Sequence, residues 1–208
     1  RTAPQIYDEL SLLRDQGINY VYIIDDVFTA DLEFMRGILE QIRRRGELGI
    51  QFWCFADIRD ITDECVDVLK AVGLEKVLVG IESGSEQLRR KAGKMFTNET
   101  LYRRIGSLGR AGIKVEDSFV LGIAGETEET LIETFEVSAT IANLCETEGT
   151  AFNIMTPLMG SPDWNRLMHV PELAAKYGAG YRFDITELRQ DFFRHFCVFD
   201  PAAIQVAA

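Results

Sequence analysis

The segment VLVGIESGSEQLRRKAGK, Val77–Lys94, decides the fold. It begins as a nearly continuous apolar run, which is typical of a strand buried on both faces. A helical stretch, Ser85–Lys91, follows, with a serine available as a cap and Gly93 as a stop. The junction Glu82–Ser85 places polar groups where the strand ends. A buried strand followed directly by a helix is the repeating unit of a parallel sheet.

The same alternation continues on both sides of this segment, with a helix between each pair of strands. The predicted strands are Tyr20–Asp25, Ile50–Ala56, Lys76–Ile81, Lys114–Ile123 and Thr150–Met155. The predicted helices are Pro4–Gln16, Asp31–Arg45, Thr62–Ala71, Ser85–Lys91, Asn98–Ala111 and Glu126–Leu144. Five strands do not close an eight-stranded barrel, and the leading helix implies one more strand upstream. The sequence therefore predicts an α/β protein, an open, partial parallel β/α barrel of the TIM type with five of about six strands.

The alternation stops after Met155, where a proline-rich stretch predicts loops and short helices. Residues 1–160 are therefore predicted to be the barrel core without its first strand, and residues 161–208 a C-terminal extension. The chain starts at Arg1 rather than at a methionine, which indicates a fragment or a trimmed domain.

Composition and charge narrow the function classes. The chain has 208 residues, 47% of them hydrophobic and 26% charged, which is typical of a globular domain. A net charge of −11 disfavours nucleic acid as a partner, because a duplex-binding surface needs a basic face. No segment approaches the roughly 20 apolar residues of a membrane span, and no signal peptide is recognisable.

The four cysteines are far apart in the sequence, a spacing that fits neither a zinc site nor a disulfide framework. They are Cys54, Cys65, Cys145 and Cys197. Reduced, buried thiols of a cytoplasmic protein are the expected state.

Polar residues and glycines lie at the end of every predicted strand, at the edge where parallel β/α proteins form their sites. They are Asp25-Asp26, Asp57 with Arg59-Asp60, Glu82–Ser85, Gly122 with Gly125-Glu126-Thr127, and Asn153 with Thr156. Carboxylates can bind an ammonium or ribose hydroxyls, an arginine can bind a carboxylate, and glycines let a flat ring approach the backbone. Such a set suits a zwitterionic, nucleoside-like ligand, although each member alone also suits a helix cap or turn.

Five segments resemble, in order, the core of the radical S-adenosylmethionine (SAM) superfamily. They are YIIDDVFTAD (Tyr22–Asp31), FADIRDIT (Phe55–Thr62), VLVGIESGSEQLRRKAGK (Val77–Lys94), AGIKVEDSFVLGIAGETEET (Ala111–Thr130) and FNIMTPLMGSPDW (Phe152–Trp164). The likeness runs from about Arg1 to about Trp164. It is strongest to the branch that often carries an upstream cobalamin-binding domain and contains the anaerobic Mg-protoporphyrin ester cyclases.

The resemblance implies a set of SAM-binding residues and assigns no catalytic residue. The set is Asp25, Asp26, Arg59, Glu82, Ser83, Val120 and Gly122. The aspartate pair is implied to meet the amino group of SAM, and Glu82 with its neighbour Ser83 to hold the ribose or the methionine part. The backbone of Val120 and Gly122 is implied to pack on the adenine, although Ser118 stands where the family often has glycine. Arg59 is a weaker candidate for the methionine carboxylate or the substrate.

The chain departs from the family in one respect, since the CxxxCxxC loop that binds a [4Fe–4S] cluster is absent. In the family this loop follows the first strand, so it is expected just before Arg1. The four cysteines present are too far apart to replace it. Either the upstream residues are missing, or the chain is a natural relative without a cluster. The chain alone is not expected to cleave SAM reductively.

The family implies an enzyme whose parent protein binds the cluster and SAM and generates a 5′-deoxyadenosyl radical. That radical would act on a small organic substrate, with a reductant protein as partner, and the use of cobalamin is left open. A second hypothesis is a degenerate barrel that serves as a scaffold or partner-binding module. A third is a barrel lyase or aldolase, which would need a catalytic lysine or a histidine cluster at the strand ends. The lysines are instead predicted in helices or at strand starts.

Overall fold

The computed structural model describes residues 1–178 and 184–198, and its strands form one sheet in the order β1-β2-β3-β4-β5. The strands are β1 (Tyr20–Ile23), β2 (Gln51–Ala56), β3 (Leu74–Glu82), β4 (Lys114–Leu121) and β5 (Thr147–Ile154). β2 pairs in parallel with both β1 and β3. Strands that are neighbours in the sequence are neighbours in the sheet, as short right-handed crossovers produce. The predicted open, partial parallel β/α barrel is confirmed.

A helix precedes β1 and helices connect the strands, as predicted. They are α1 (Ala3–Asp15), α2 (Leu32–Arg45), α3 (Asp63–Val72), α4 (Glu86–Lys91), α5 (Asn98–Arg110) and α6 (Glu128–Leu144). Three more follow β5: α7 (Pro162–Met168), α8 (Pro171–Tyr177) and α9 (Ile185–Phe196). A short 3-10 helix, Phe28–Ala30, was not predicted. Within the described residues, no helix combines the length and the apolar character that crossing a membrane requires.

Side-chain caps set the start of α2 one residue later than predicted and confirm Thr62 as the predicted cap of α3. The carboxylate of Asp31 accepts a hydrogen bond from the N–H of Phe34 at 2.9 Å, so this residue is the N-cap of α2. Thr62 caps α3 in the same way, accepting from the N–H of Cys65 at 3.1 Å. Such caps satisfy backbone N–H groups that have no partner within the first turn.

Contacts divide the chain into two compact units. Unit 1 consists of Arg1–Ile81, Met95–Ser118 and Val137–Ala151, and unit 2 of Glu82–Lys94, Phe119–Glu136 and the chain from Phe152 on. The predicted boundary after residue 160 stays a prediction, and the parts of the predicted extension at 179–183 and 199–208 lie outside the described residues.

Unit 1 carries a polar and aromatic layer along one face of its strands. The ammonium of Lys76 lies 3.0 Å from Glu116 and 3.1 Å from Glu148, and 4.5 Å from the centre of the Trp53 ring. Trp53 stacks on Tyr22 with ring centres 3.5 Å apart. The lysine at the start of β3 is therefore held by ion pairs rather than offered at the strand ends.

Unit 2 has its own apolar core, which joins the end of β4 to the helices that follow β5. Its buried members are Leu121, Ala124, Leu167, Leu173, Tyr177, Leu188, Phe192 and Phe193. Burying so much apolar side-chain surface is the main force that orders α7, α8 and α9. Helices α7, α8 and α9 of the predicted extension thus pack within unit 2.

Candidate functional site

The end of β1 presents two carboxylates. Asp25 and Asp26 are exposed and lie in the turn after the strand, which ends at Ile23. Asp25 lines a cavity of about 640 Å³ beside β1, together with Tyr22 and Ile24. Both predicted carboxylates are therefore accessible to a ligand.

The end of β2 is organised by a buried aspartate. Asp57 accepts hydrogen bonds from Nε of Arg59 at 3.0 Å, from its Nη2 at 2.9 Å and from its backbone N–H at 2.8 Å. These hydrogen bonds raise the pKa of the Arg59 guanidinium. Although the Arg59 side chain is 53% exposed, two donors of its fork are already bound. Arg59 is therefore less available for a ligand carboxylate than its sequence position indicates.

The end of β3 carries an unusual backbone conformation. Glu82 has φ of 70°, and within the described residues it is the one non-glycine residue with a positive φ. A left-handed conformation costs an L-residue about 1–2 kcal/mol. Strain of this kind is tolerated where the side chain must point in a particular direction, which supports a functional role for Glu82.

A cation lies beside this carboxylate. The ammonium of Lys94 is 3.8 Å from Oε1 of Glu82, and each side chain is 23% exposed. Lys94 comes three residues after the end of α4. The preceding residue, Gly93, has a left-handed backbone with φ of 83°, which turns the chain. The lysines were predicted to lie in helices or at strand starts; Lys94 lies in neither, because this glycine reverses the chain. Lys94 was not among the predicted site residues, although Gly93 indicated that the helix ends before it.

Ser83 is fully buried and its hydroxyl serves the local backbone. It accepts a hydrogen bond from the N–H of Ser85 at 3.1 Å and lies 3.4 Å from Oγ1 of Thr134 in α6. The N–H of Gly84 donates to that same threonine oxygen at 2.9 Å. The predicted contact of the Ser83 side chain with a ligand is untested, and its observed contacts shape the β3 loop, residues 82–85.

A buried arginine also fastens the β3 loop. Arg89 in α4 has no exposed surface, and its guanidinium donates to the carbonyls of Ser83 at 2.9 Å and Gly84 at 3.3 Å. Charge-assisted hydrogen bonds are stronger than neutral ones. The conformation of the loop that follows Glu82 is therefore fixed from within unit 2.

Val120 and Gly122 end β4 and begin the β4 loop, residues 122–127. Val120 is half-buried, on the strand face opposite that of the buried Leu121. Gly122 has φ of 91°, and a Cβ there would lie 2.0 Å from the ring of Phe193 in α9. Gly122 thus allows a flat ring to approach the backbone, and the ring of Phe193 does so here.

Glu126 differs from its predicted place at the start of a helix. α6 begins at Glu128, and the Glu126 carboxylate turns inward to accept a hydrogen bond from the N–H of Gly122. The side chain is fully buried, and burial raises its pKa to about 7. A buried carboxyl within the β4 loop was not predicted, because the sequence alone suited a residue in the first turn of a helix, favoured by the helix dipole.

The described residues do not fit an iron–sulfur cluster. A cluster needs several thiolates close together. Burial raises the pKa of Cys54 and of Cys197 to about 12, and that of Cys65 and of Cys145 to about 11, so all four thiols hold their protons. In the part of the chain that the structure describes, no group of three or more potential metal ligands occurs.

Two kinds of comparison with known proteins address the family. The model of the radical SAM superfamily matches residues 1–137. The anaerobic magnesium-protoporphyrin IX monomethyl ester cyclase of Rubrivivax gelatinosus is 25% identical over 141 residues, which cover 66% of this chain and 25% of that protein. The match to a cyclase agrees with the predicted branch of the family.

Solved structures share the fold. The radical SAM methyltransferase TsrM of Kitasatospora setae, with cobalamin and a [4Fe–4S] cluster bound, has a TM-score of 0.69 and 23% identity, over 82% of this chain and 35% of that one. The cobalamin-dependent SAM radical enzyme OxsB, with aqua-cobalamin and SAM bound, has a TM-score of 0.65 and 16% identity, over 90% and 34%. This chain therefore spans about a third of these structures and a quarter of the cyclase. Because the family model matches residues 1–137, which are most of its length, the chain belongs to the radical SAM superfamily.

Proposed function

We propose that this chain is the body of a radical SAM enzyme core and binds SAM at the carboxyl ends of its strands. The observation that carries the proposal is the pair of Glu82 and Lys94, whose charged groups are 3.8 Å apart. The methionine part of SAM is an α-amino acid, with an ammonium and a carboxylate on one carbon. A carboxylate and an ammonium held side by side are the complement of that zwitterion.

Two other features support the same ligand. The left-handed backbone of Glu82 is a strain of the kind that clusters at functional sites. Asp25 and Asp26, exposed at the end of β1, are available for an ammonium or for ribose hydroxyls. The half-buried Val120 and the backbone of Gly122 are proposed to pack on the adenine, as the resemblance implies.

The cluster is proposed to belong to a part of the parent protein that precedes Arg1. β1 lies at one end of the strand order, and its flanking residue Ile24 is 75% exposed. The cavity beside β1 is lined by apolar side chains of α1, among them Leu10 and Leu13. A further strand pairing with this edge would cover these groups and would bring a cysteine loop to the strand ends.

The parent is proposed to act as an enzyme on a small organic substrate, with a reductant protein as partner in the cytoplasm. A bound cluster would supply the electron for the cleavage of SAM, while the residues of this chain bind and orient the cofactor. Cobalamin is proposed for the parent on the likeness to TsrM and OxsB, whose structures hold it.

Equilibrium dialysis of the chain with SAM and with decarboxylated SAM tests this function. We expect the chain to bind both, and Lys94→Met to weaken the binding of SAM by about 10- to 150-fold, since a charge-assisted hydrogen bond contributes about 1.5–3 kcal/mol. Decarboxylated SAM lacks the group that Lys94 would meet, so its binding should not change. The matched control is Arg90→Met, which removes a 52% exposed cation of α4 that pairs with Glu86.

Each outcome has a distinct meaning. If the chain binds neither compound, the proposed function is wrong, and the result supports the hypothesis of a scaffold or partner-binding module. If Lys94→Met weakens the binding of both compounds equally, SAM binding stands and the complement to the zwitterion is wrong.

A further inference from the structure

The last described residues of the chain form a strap, Phe196–Val198, across the β4 loop. The N–H of Gly125 donates to the carbonyl of Phe196 at 2.6 Å, and the N–H of Val198 donates to the carbonyl of Glu126 at 2.9 Å. A parallel bridge continues the pairing one residue further along the loop. The strap therefore adds a short, strand-like segment to the β4 loop, held by few hydrogen bonds.

Glu126 is part of the β4 loop that the strap contacts, and one of its two carboxylate oxygens has no hydrogen-bond partner among the described residues. Its Oε2 accepts a hydrogen bond from the N–H of Gly122, whereas its Oε1 is buried and has no hydrogen-bond partner among the described residues. The thiol of Cys197, in the strap, lies 3.4 Å from the carbonyl of Gly122. A buried carboxylate oxygen without a partner is costly, and the cost falls if the group is neutral or if water reaches it.

Within residues 1–178 and 184–198, no cation is recorded in an ion pair with this carboxyl. The thiol of Cys197 is neutral, since burial raises its pKa to about 12. Lys91 of α4 directs its ammonium to the carbonyl of Ala124, 3.4 Å away. Asp163 of α7 contributes a like charge that raises the pKa of the strap thiol. Burial is the largest cause of the raised pKa of Glu126. The hydrogen bonds from the backbone of Gly122 and of Ile123 lower that pKa.

We propose that Glu126 is a positioning residue whose proton holds the strap closed on the β4 loop. With the proton bound, the carboxyl is neutral and its burial under the strap is tolerated. When the proton leaves, a charged oxygen without a partner remains, and opening of the strap lets water reach it.

The direction of the pH dependence follows from the two states. The closed state has a Glu126 pKa of about 7, raised from the ordinary 4.5 that the group regains when water reaches it. A raised pKa means that the closed state binds the proton more tightly. Closure is therefore most favoured below about pH 4.5, and this contribution is lost as the pH rises to about 7.

The strap has a consequence for the cofactor that rests on the proposed function. The β4 loop is the segment proposed to pack on the adenine, so an open strap would loosen one wall of the SAM site. The closure itself does not depend on SAM, and it is tested without any ligand.

Hydrogen exchange of the full chain between pH 5 and pH 8, corrected for the intrinsic exchange rate, measures the closure. The reporters are the N–H groups of Gly125 and Val198, which bridge strap and loop. Their protection should fall by about 50-fold over this range, because each unit of pKa difference is a tenfold change in the equilibrium. The N–H of Val115, which donates to Glu146 in unit 1, is the internal reference and should not change in this way.

Two variants separate the proton from the packing. Glu126→Gln keeps the shape of a neutral carboxyl and should make the protection independent of pH. Val198→Pro removes the N–H that reaches Glu126, at a site whose preceding residue, Cys197, already has an extended backbone. Val198→Pro should remove the protection of the Gly125 N–H at every pH. Because this variant keeps Glu126, it tests the strap even if Glu126→Gln does not fold. A flat profile in the unmodified chain, or an unchanged slope in Glu126→Gln, would overturn the proposal.

Discussion

Gly84→Ala is expected to lower the free energy of unfolding of unit 2 by about 3 kcal/mol or more, since forcing atoms into a closely packed site costs about 1–3 kcal/mol even where neighbours can move. A Cβ at this position would lie 2.3 Å from the carbonyl oxygen of Glu133 and 2.4 Å from Cα of Thr134. Both atoms belong to the backbone of α6, which cannot move aside as a flexible side chain could. Urea denaturation, followed by circular dichroism, measures the loss.

Gly149→Ala is the matched control. This glycine lies in β5, it has no left-handed φ, and a Cβ there would meet nothing within 4 Å. We expect a neutral or slightly stabilising effect of at most about 1 kcal/mol, because alanine restricts the unfolded chain more than glycine does. Equal losses in the two variants would show that the close approach at Gly84 is not what makes this glycine necessary.

Arg89→Met is expected to destabilise the chain by about 3 kcal/mol, since each lost hydrogen bond of a charged donor costs about 1.5–3 kcal/mol. The substitution removes the guanidinium that donates to the carbonyls of Ser83 and Gly84, and leaves both carbonyls in a buried environment. The loop after Glu82 should also become mobile. Denaturation measures the first effect, and faster hydrogen exchange at the N–H of Ser85 measures the second.

Arg90→Met, in the next position of the same helix, controls for the loss of one positive charge. The side chain of Arg90 is 52% exposed, and its partner Glu86 lies 3.7 Å away. Exposed pairs of this kind contribute about 0.2–1 kcal/mol. A loss in Arg90→Met as large as that in Arg89→Met would mean that net charge, and not the hydrogen bonds to the β3 loop, accounts for the effect.

The fold could be predicted from the sequence because β2, β3 and β4 coincide with apolar runs in which about every second residue is buried. The apolar run that begins at Val77 is such a case, and it forms most of β3. The prediction was less accurate where other interactions replace apolar burial. β5 begins at Thr147, three residues earlier than its apolar run indicates, because Glu148 is held by ion pairs with Lys76 and Lys114. Such pairs join distant parts of the chain, and local patterns do not contain them.

The candidate site was predictable in outline for a similar reason. Parallel strands bring their ends to one edge, so polar residues after each strand could be identified by position alone. What the sequence did not contain is which partner each polar group finds. Arg59 binds Asp57, Lys94 reaches Glu82 after the turn at Gly93, and Glu126 is buried. These outcomes depend on tertiary packing, which also determines the protonation of Glu126.

The left-handed backbone of Glu82 makes this position informative about natural selection. Glycine would adopt the same φ without the cost of about 1–2 kcal/mol that a side chain incurs. A lineage that has lost the need for a carboxylate here would gain stability by replacing Glu82 with glycine, and selection for stability should favour that change. A relative that keeps glutamate at this position is therefore expected to be under selection for its carboxylate, whereas a decayed scaffold should lose it early.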